Sequence, residues 1–259
     1  MIRTEPASPG GFSVGWYGKI PGTGDFIARR LPPAFSQSWD GWEQGVMEGS
    51  KERLGAGWRD AFLSMPPWRF VLGAGLVTPN AWAGLMLPSV DAVGRYFPLT
   101  VASALPAASL DLVATLLAAA PWFDAIEEIA LTAIAPKADT HAIDAAFAAR
   151  AFRREWLQPA QTHLEADSTV PMRPATPQML CMPLDDRPID EAARAQLCAI
   201  AGRLVEPCAA WLAEPSEVMG RCLLLTEALP PAAAFCAMMD GRWLEHGWGS
   251  RDLRGGGGG

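Results

Sequence analysis

A chain of 259 residues, half of them hydrophobic and 19% charged, has the length and composition to bury a full core in one large domain or two small ones, which excludes an intrinsically disordered chain. Its net charge of −7 argues against wrapping nucleic acid or lying on an anionic membrane, and the basic pairs Arg29–Arg30 and Arg153–Arg154 read as solvated helix faces. The most apolar run, Leu110 to Ala120, is interrupted by Asp111 and stopped by Pro121, so it is too short to span a bilayer. Met1 to Gly11 lacks the charged-then-apolar order of a signal peptide, so a cytoplasmic protein is expected. Cys181, Cys198, Cys208, Cys222 and Cys236 are odd in number and never paired as Cys-x-x-Cys, which fits reduced thiols better than disulfides or zinc.

Residues 1–12 read as a flexible tail rich in Pro, Gly and Ser. Ser13 to Tyr17 is a first strand, stopped by glycines and Pro21. Phe35, Trp39, Trp42 and Val46 mark one apolar face of a helix, with Asp40, Glu43, Gln44 and Glu48 on the other, and Gly55 and Gly57 end it. Trp58 and Phe62 predict a further helical turn.

Three strand-like runs follow, Trp68 to Leu72, Trp82 to Leu87 and Leu99 to Leu105, bounded by Gly73, Gly75, Pro79, Pro88 and Pro98. Their short connections favour antiparallel pairing over helical crossovers. Helices are then expected from Ser109 as N-cap through Ala119, from Pro121 through Ala130, and from Thr140 or His141 through Phe147 and Phe152. Residues 158–190 read as a long loop excursion. Asp190 to Val205 is helical again, Ala209 to Ala213 and Arg221 to Thr226 are strands, and Pro231 to Met239 is a short helix capped by Gly241. Residues 255–259 are a flexible glycine tail. The order implies an α/β fold in which a mostly antiparallel central sheet is flanked by helices on both faces, a single domain over 13–254; two subdomains meeting near residue 107 are the alternative.

No catalytic signature is complete. The turn Gly18-Lys19-Ile-Pro-Gly22-Thr-Gly24 places its lysine before the glycines rather than at a helix start, so it is not a P-loop, and a positive φ at Gly22 or Gly24 explains it better. No serine is read on the strand-to-helix turn that a Gly-x-Ser-x-Gly nucleophile elbow requires, and His141, His163 and His246 lie in polar surroundings. A Cys–His pair has no positive support. Asp185-Asp186 and Glu127-Glu128 read as solvated acidic surface rather than metal ligands, and no cofactor is expected. Eleven tryptophans are many for this length; Trp39, Trp42, Trp58, Trp68 and Trp82 fit the core, whereas Trp16, Trp243 and Trp248 are open to an interface.

The informative polar set is Asp25, Arg29, Arg30, Asp91 and Arg95, with Phe26 and Tyr96 beside it. Arg95 stands in an otherwise apolar stretch, so a partly buried guanidinium there needs a carboxylate or carbonyl partner, with Asp91 and Asp25 the candidates. The set is an internal ion pair bracing a loop, a charged recognition surface, or both, since a rigidly held arginine also anchors a partner.

Several motifs in one order carry a resemblance. Gly15-Trp-Tyr-Gly-Lys-Ile-Pro, Gly24-Asp-Phe-Ile-Ala-Arg-Arg-Leu-Pro, Trp39-Asp40-x-Trp42, Pro67-Trp-Arg-Phe-Val-Leu72, Trp82-Ala-Gly84 and Pro88-Ser-Val-Asp-x-Val-Gly-Arg-Tyr-Phe-Pro-Leu-Thr100 resemble the TagF (ImpM) family of type VI secretion-associated proteins. Cys222-Leu-Leu-Leu-Thr-Glu-Ala-Leu-Pro230, Phe235 and Asp240-Gly-Arg-Trp243 follow it more loosely. The resemblance implies a cytoplasmic, non-enzymatic accessory protein that restrains assembly of the type VI apparatus after translation, through a forkhead-associated scaffold protein of the same system. A small hydrolase or nucleotide-handling enzyme and a structural component of the apparatus are the alternatives.

Overall fold

The computed structural model describes residues 11–160, 179–184, 189–204 and 208–250. In chain order it contains β1 (Gly11–Phe12), β2 (Val14–Gly18), β3 (Ile27–Arg29), α1 (Pro33–Leu54), α2 (Trp58–Ser64), β4 (Trp68–Leu72), β5 (Ala81–Leu87), β6 (Leu99–Leu105), α3 (Leu112–Ala118), α4 (Ala120–Ala133) and α5 (Thr140–Ala148). It continues with β7 (Phe152–Arg153), β8 (Met179–Pro183), α6 (Glu191–Leu204), β9 (Ala209–Ala213), β10 (Cys222–Thr226), α7 (Ala232–Asp240) and β11 (Gly249–Ser250).

Nine strands form one sheet in the order β11-β8-β10-β9-β4-β5-β6-β2-β3. Every pairing in it is antiparallel except that of β11 with β8. Helices cover both faces, which is why β5 and β9 read as unbroken apolar runs, broken in β4 only by Arg69 and in β10 only by Thr226, rather than as alternating ones. The pleat still divides them. Trp16, Val71, Leu85, Val101, Leu212 and Leu223 pack with α3 to α6, while Phe70, Trp82, Met86, Trp211 and Leu224 pack with α1, α2 and α7. The expected sandwich with antiparallel strands is therefore the observed fold.

Local capping refines several boundaries. Asp111, not Ser109, caps α3 by accepting from the Ala114 amide at 2.9 Å, and Asp139 caps α5. The predicted third helix stops at Ala148, because Phe152 belongs to β7, where it pairs with Phe12. That pairing makes Gly11 and Phe12 a strand rather than the end of a tail; residues 1–10 and 255–259 lie outside the described residues. The expected excursion over 158–190 contains β8, a strand between β10 and β11, and its segments 161–178 and 185–188 lie outside the described residues. Arg29–Arg30 sit at the end of β3, while Arg153 ends β7 and Arg154 opens a single 3-10 turn, so neither pair lies on an α-helix face. Gly241 ends α7 at φ 72°, as its position implied.

The α1 face carries a layer of rings packed at tilted angles: Phe35, Trp39, Trp42, Phe70, Trp82 and Trp211. Gly84 admits the Phe70 ring, since a Cβ there would stand 2.4 Å from it. Trp16 and Trp248 are buried and Trp243 is half-buried against Trp68, so none of the three is the open interface residue expected.

Glu43 corrects the helix reading most sharply, being fully buried four residues after Trp39 on the apolar side of α1. Thr100 Oγ1 donates to Glu43 Oε1 at 2.8 Å and itself accepts from Trp39 Nε1 at 3.0 Å, while Oε2 has no hydrogen-bond partner among the described residues. Burial pushes this carboxyl well above the ordinary range, outweighing the hydrogen bonds. Folding thus raises its proton affinity, so its contribution to stability is greatest below about pH 4. That contribution falls as pH rises toward the folded pKa, by about 1.4 kcal/mol for each pH unit between the unfolded and folded values. Glu43→Gln is expected to abolish that loss. Urea midpoints at pH 5 and pH 8 check it, the variant gaining on the parent at pH 8.

Candidate functional site

β2 leaves the sheet through Gly18, whose φ of 135° no other residue adopts without strain. A Cβ there would stand 2.2 Å from the Pro98 carbonyl oxygen, so the glycine lets two backbones meet. The positive φ expected at Gly22 or Gly24 belongs to Gly18 instead. The chain then turns, with the Thr23 amide donating to the Ile20 carbonyl at 3.1 Å, and returns as β3 at the sheet edge.

Beside it, residues 89–97 form a second turn between β5 and β6. The Asp91 amide donates to the Arg95 carbonyl at 3.0 Å, the Phe97 amide to the Ser89 carbonyl at 3.1 Å, and Gly94 takes φ 84°. Asp91 is the centre of this turn. Its Oδ1 accepts from the amides of Val93 at 3.0 Å and Arg95 at 2.8 Å. Its Oδ2 accepts from Lys19 Nζ at 3.1 Å and Arg95 Nε at 2.7 Å. Burial alone would raise this carboxyl, but the Arg95 amide, the Lys19 ammonium, the Arg95 guanidinium and the Val93 amide together hold it well below the usual carboxylate range.

Two further bonds lock the turns together: the Ala92 amide donates to the Thr23 carbonyl at 3.1 Å, and Arg95 donates to the Gly24 carbonyl. Lys19 is 7% exposed and Asp91 fully covered, whereas the Arg95 side chain is 55% exposed. The buried cation is thus Lys19, to which the sequence alone gave no role. Arg95 closes the pair from outside, with Asp91 and not Asp25 as its carboxylate.

Above this brace lies an aromatic platform. Phe26, 45% exposed, stacks on Tyr17 at 5.5 Å, meets Phe97 edge-on at 4.7 Å and covers the Lys19 ammonium at 4.8 Å. Tyr17 donates to Asp40 Oδ1 at 2.5 Å, tying the platform to α1. Val93, 69% exposed, tips the second turn. The surface therefore presents an aromatic ring, an aliphatic side chain and a guanidinium on braced backbone.

The other expected residues disperse. Asp25 is exposed on the first turn, and its carboxylate meets no cation among the described residues. Arg29 is exposed on β3, bonded to the Ala28 carbonyl at 3.1 Å. Arg30 turns away at φ 56°, donating to the Val14 carbonyl at 2.7 Å and pairing with Asp144 of α5 at 2.8 Å. Tyr96 packs edge-on against Trp58 at 5.8 Å, toward α2.

A second ion cluster has no counterpart in the sequence reading. Arg69, the second residue of β4 and 7% exposed, binds Asp124 and Glu127 of α4 at 2.8 Å each, with Glu214 at 3.8 Å; Glu214 in turn holds Arg221 at 2.5 Å. Glu127 is thus part of a network around a buried cation rather than solvated surface. The signal that could have found it is an arginine inside the apolar run Trp68 to Leu72.

His246 meets a carboxylate, with Nε2 3.0 Å from Asp240 Oδ2, but Arg242 holds the same oxygen at 2.8 Å. On the same helix Cys236 is buried, bonded to the Ala232 carbonyl, and its thiol is pushed up by burial and by Asp240, the reverse of an activated nucleophile. The cluster caps the end of α7. All five cysteines are free thiols, and His141 is exposed while His163 lies outside the described residues. Among the described residues no three His, Cys, Asp or Glu side chains converge as a metal cluster, and no helix is long and apolar enough to cross a membrane.

Fold and site together define an antiparallel α/β sandwich that carries a braced pair of turns at one sheet end. The family described as TagF N-terminal domain, type VI secretion system-associated, matches residues 15–150, a span that holds the whole Lys19–Asp91–Arg95 cluster. The crystal structure of PA0076 from Pseudomonas aeruginosa PAO1 is similar at 34% identity, covering 89% of this chain and 95% of that one with a TM-score of 0.65. No curated protein matches this chain. The chain belongs to the TagF family of type VI secretion-associated proteins.

Proposed function

We propose that this chain is a non-enzymatic cytoplasmic accessory protein that restrains assembly of the type VI secretion apparatus after translation by binding a forkhead-associated scaffold protein. Within that reading the set Asp25, Phe26, Arg29, Arg30, Asp91, Arg95 and Tyr96 divides by role. Phe26, Arg95 and Asp25 make contact, Arg29 lines the adjoining edge, and Asp91 braces the turns. Arg30 and Tyr96 anchor the turns' flanks to α5 and α2.

The observation that carries the reading is the half-exposed Phe26 beside Arg95, both fixed by a buried ion pair. An aromatic ring and a guanidinium on preorganised backbone are the side chains that anchor protein interfaces. Support for an interaction role over catalysis comes from Cys236 and His246, whose partners serve structure.

Calorimetric titration with the scaffold, phosphorylated and unphosphorylated, tests this. Saturable one-to-one binding is expected, weakened about tenfold or more by Phe26→Ser or Arg95→Ala. Because Lys19 keeps Asp91 paired, Arg95→Ala should lower the Tm by no more than a few degrees. An absence of heat in both states removes the scaffold as partner, and a collapse of the Arg95→Ala melt makes Arg95 a strut rather than a contact.

A further inference from the structure

At the opposite end of β2 from Lys19, the chain folds a chemically different surface. The two-stranded ribbon of β1 and β7, the end of α5 and the start of α4 enclose a groove of about 710 Å3. Arg150, Arg153 and Arg154 line it together with the buried Trp122 and the half-buried Trp156, and Glu155 is the one carboxylate among its described lining residues.

These cations are held on fixed backbone. Trp122 Nε1 donates to the Arg150 carbonyl at 2.8 Å, and Arg153 is paired with Gly11 across the ribbon. The guanidiniums are placed by rings more than by acids, with Arg153 5.6 Å from Trp156 and Arg154 5.1 Å from Phe12. The Arg153–Glu155 pair, at 3.2 Å with both side chains 66% exposed, is a weak contact in water. Arg150 and Arg154 have no carboxylate partner among the described residues.

Three guanidiniums against one carboxylate stand out on a protein of net charge −7. The charge selects an anion, and the volume selects its size. The groove falls in the range that holds ligands much larger than an inorganic phosphate. A nucleic acid strand running beyond the groove would meet an acidic protein, whereas a short acidic segment would not. We propose that this groove docks an acidic peptide segment of a protein partner, with Asp or Glu carboxylates on Arg150, Arg153 and Arg154 and an apolar side chain against Trp156. The site is independent of the Phe26–Arg95 surface.

Fluorescence anisotropy of a labelled octapeptide alternating Glu and Leu, titrated with the full chain at physiological salt, tests it. The peptide should bind saturably and its Gln-for-Glu counterpart should not. Arg150→Glu with Arg154→Glu should weaken binding tenfold or more, and Arg242→Glu, on the exposed end of α7, should leave it unchanged. Should the charge reversal disturb folding, as judged by its melt, Arg150→Gln with Arg154→Gln replaces it and should show the same loss. Failure of the peptide to bind, binding indifferent to the groove variants, or tighter binding of a single-stranded oligonucleotide would each overturn the proposal.

Discussion

Asp91→Asn is expected to lower the Tm by about 10 °C while leaving a chain that still folds. The substitution keeps Oδ1, which accepts the Val93 and Arg95 amides, and replaces Oδ2, which faces Lys19 Nζ at 3.1 Å and Arg95 Nε at 2.7 Å. Arg95 then turns to solvent, but Lys19 is left charged and covered with no counter-charge. An uncompensated buried cation is the costly half of a broken ion pair. Lys19→Met in the same chain should therefore restore more than half of the loss, and a thermal-melt double-mutant cycle reads that coupling directly. Two losses that simply add would show that the pair does not hold the turns.

The pH dependence has a definite sign. Asp91 is held below its unfolded value, so its stabilisation is fully present above about pH 4 and is lost only as pH falls through the lower folded value. The gap between parent and Asp91→Asn melts should stay constant from pH 5 to pH 7 and narrow only in stronger acid. Glu43 behaves in the opposite sense, because burial outweighs the hydrogen bonds its carboxyl receives and no cation pairs with it among the described residues.

Gly18→Ala is expected to cost about 3 kcal/mol or more and to reduce soluble yield. At φ 135° the new methyl strains its own backbone and falls 2.2 Å from the Pro98 oxygen and 2.9 Å from Leu99 Cα. Gly18 pairs with Leu99 of β6 on one side and Ile27 of β3 on the other, so neither neighbour can yield without parting the sheet. Gly24→Ala is the matched control, since its Cβ would meet nothing within 4 Å and its φ is ordinary. It should change stability by less than about 0.5 kcal/mol. Denaturant midpoints of the two variants settle which glycine the turn requires.

The strands at 68–72, 81–87 and 99–105 were legible because both faces of the sheet are covered, so their residues are mostly apolar without alternation and the runs end at Gly or Pro. β3, β7, β8 and β11 were not, being short edge or flanking strands whose existence depends on a partner far along the chain. Helical periodicity placed α1, yet it assigned Glu43 to the solvent side, since a pattern of residue types counts a carboxylate as polar wherever it lies.

For the site, chain order alone marked Asp91, Arg95 and Phe26, because a charged turn between apolar strands and a ring beside glycines are local signals. It did not mark Lys19 as Asp91's partner. That bond joins residues 72 apart in sequence, and only the antiparallel pairing of β2 with β6 brings the two turns side by side. The same pairing left Arg30 facing α5 and Tyr96 facing α2, dispersing a set that looked continuous. Local composition thus determined the central strands and most of the helices and turns, because those choices rest on neighbours a few residues away. Which charges are buried and paired was decided by tertiary structure, since burial is a property of contacts between segments and not of any one of them.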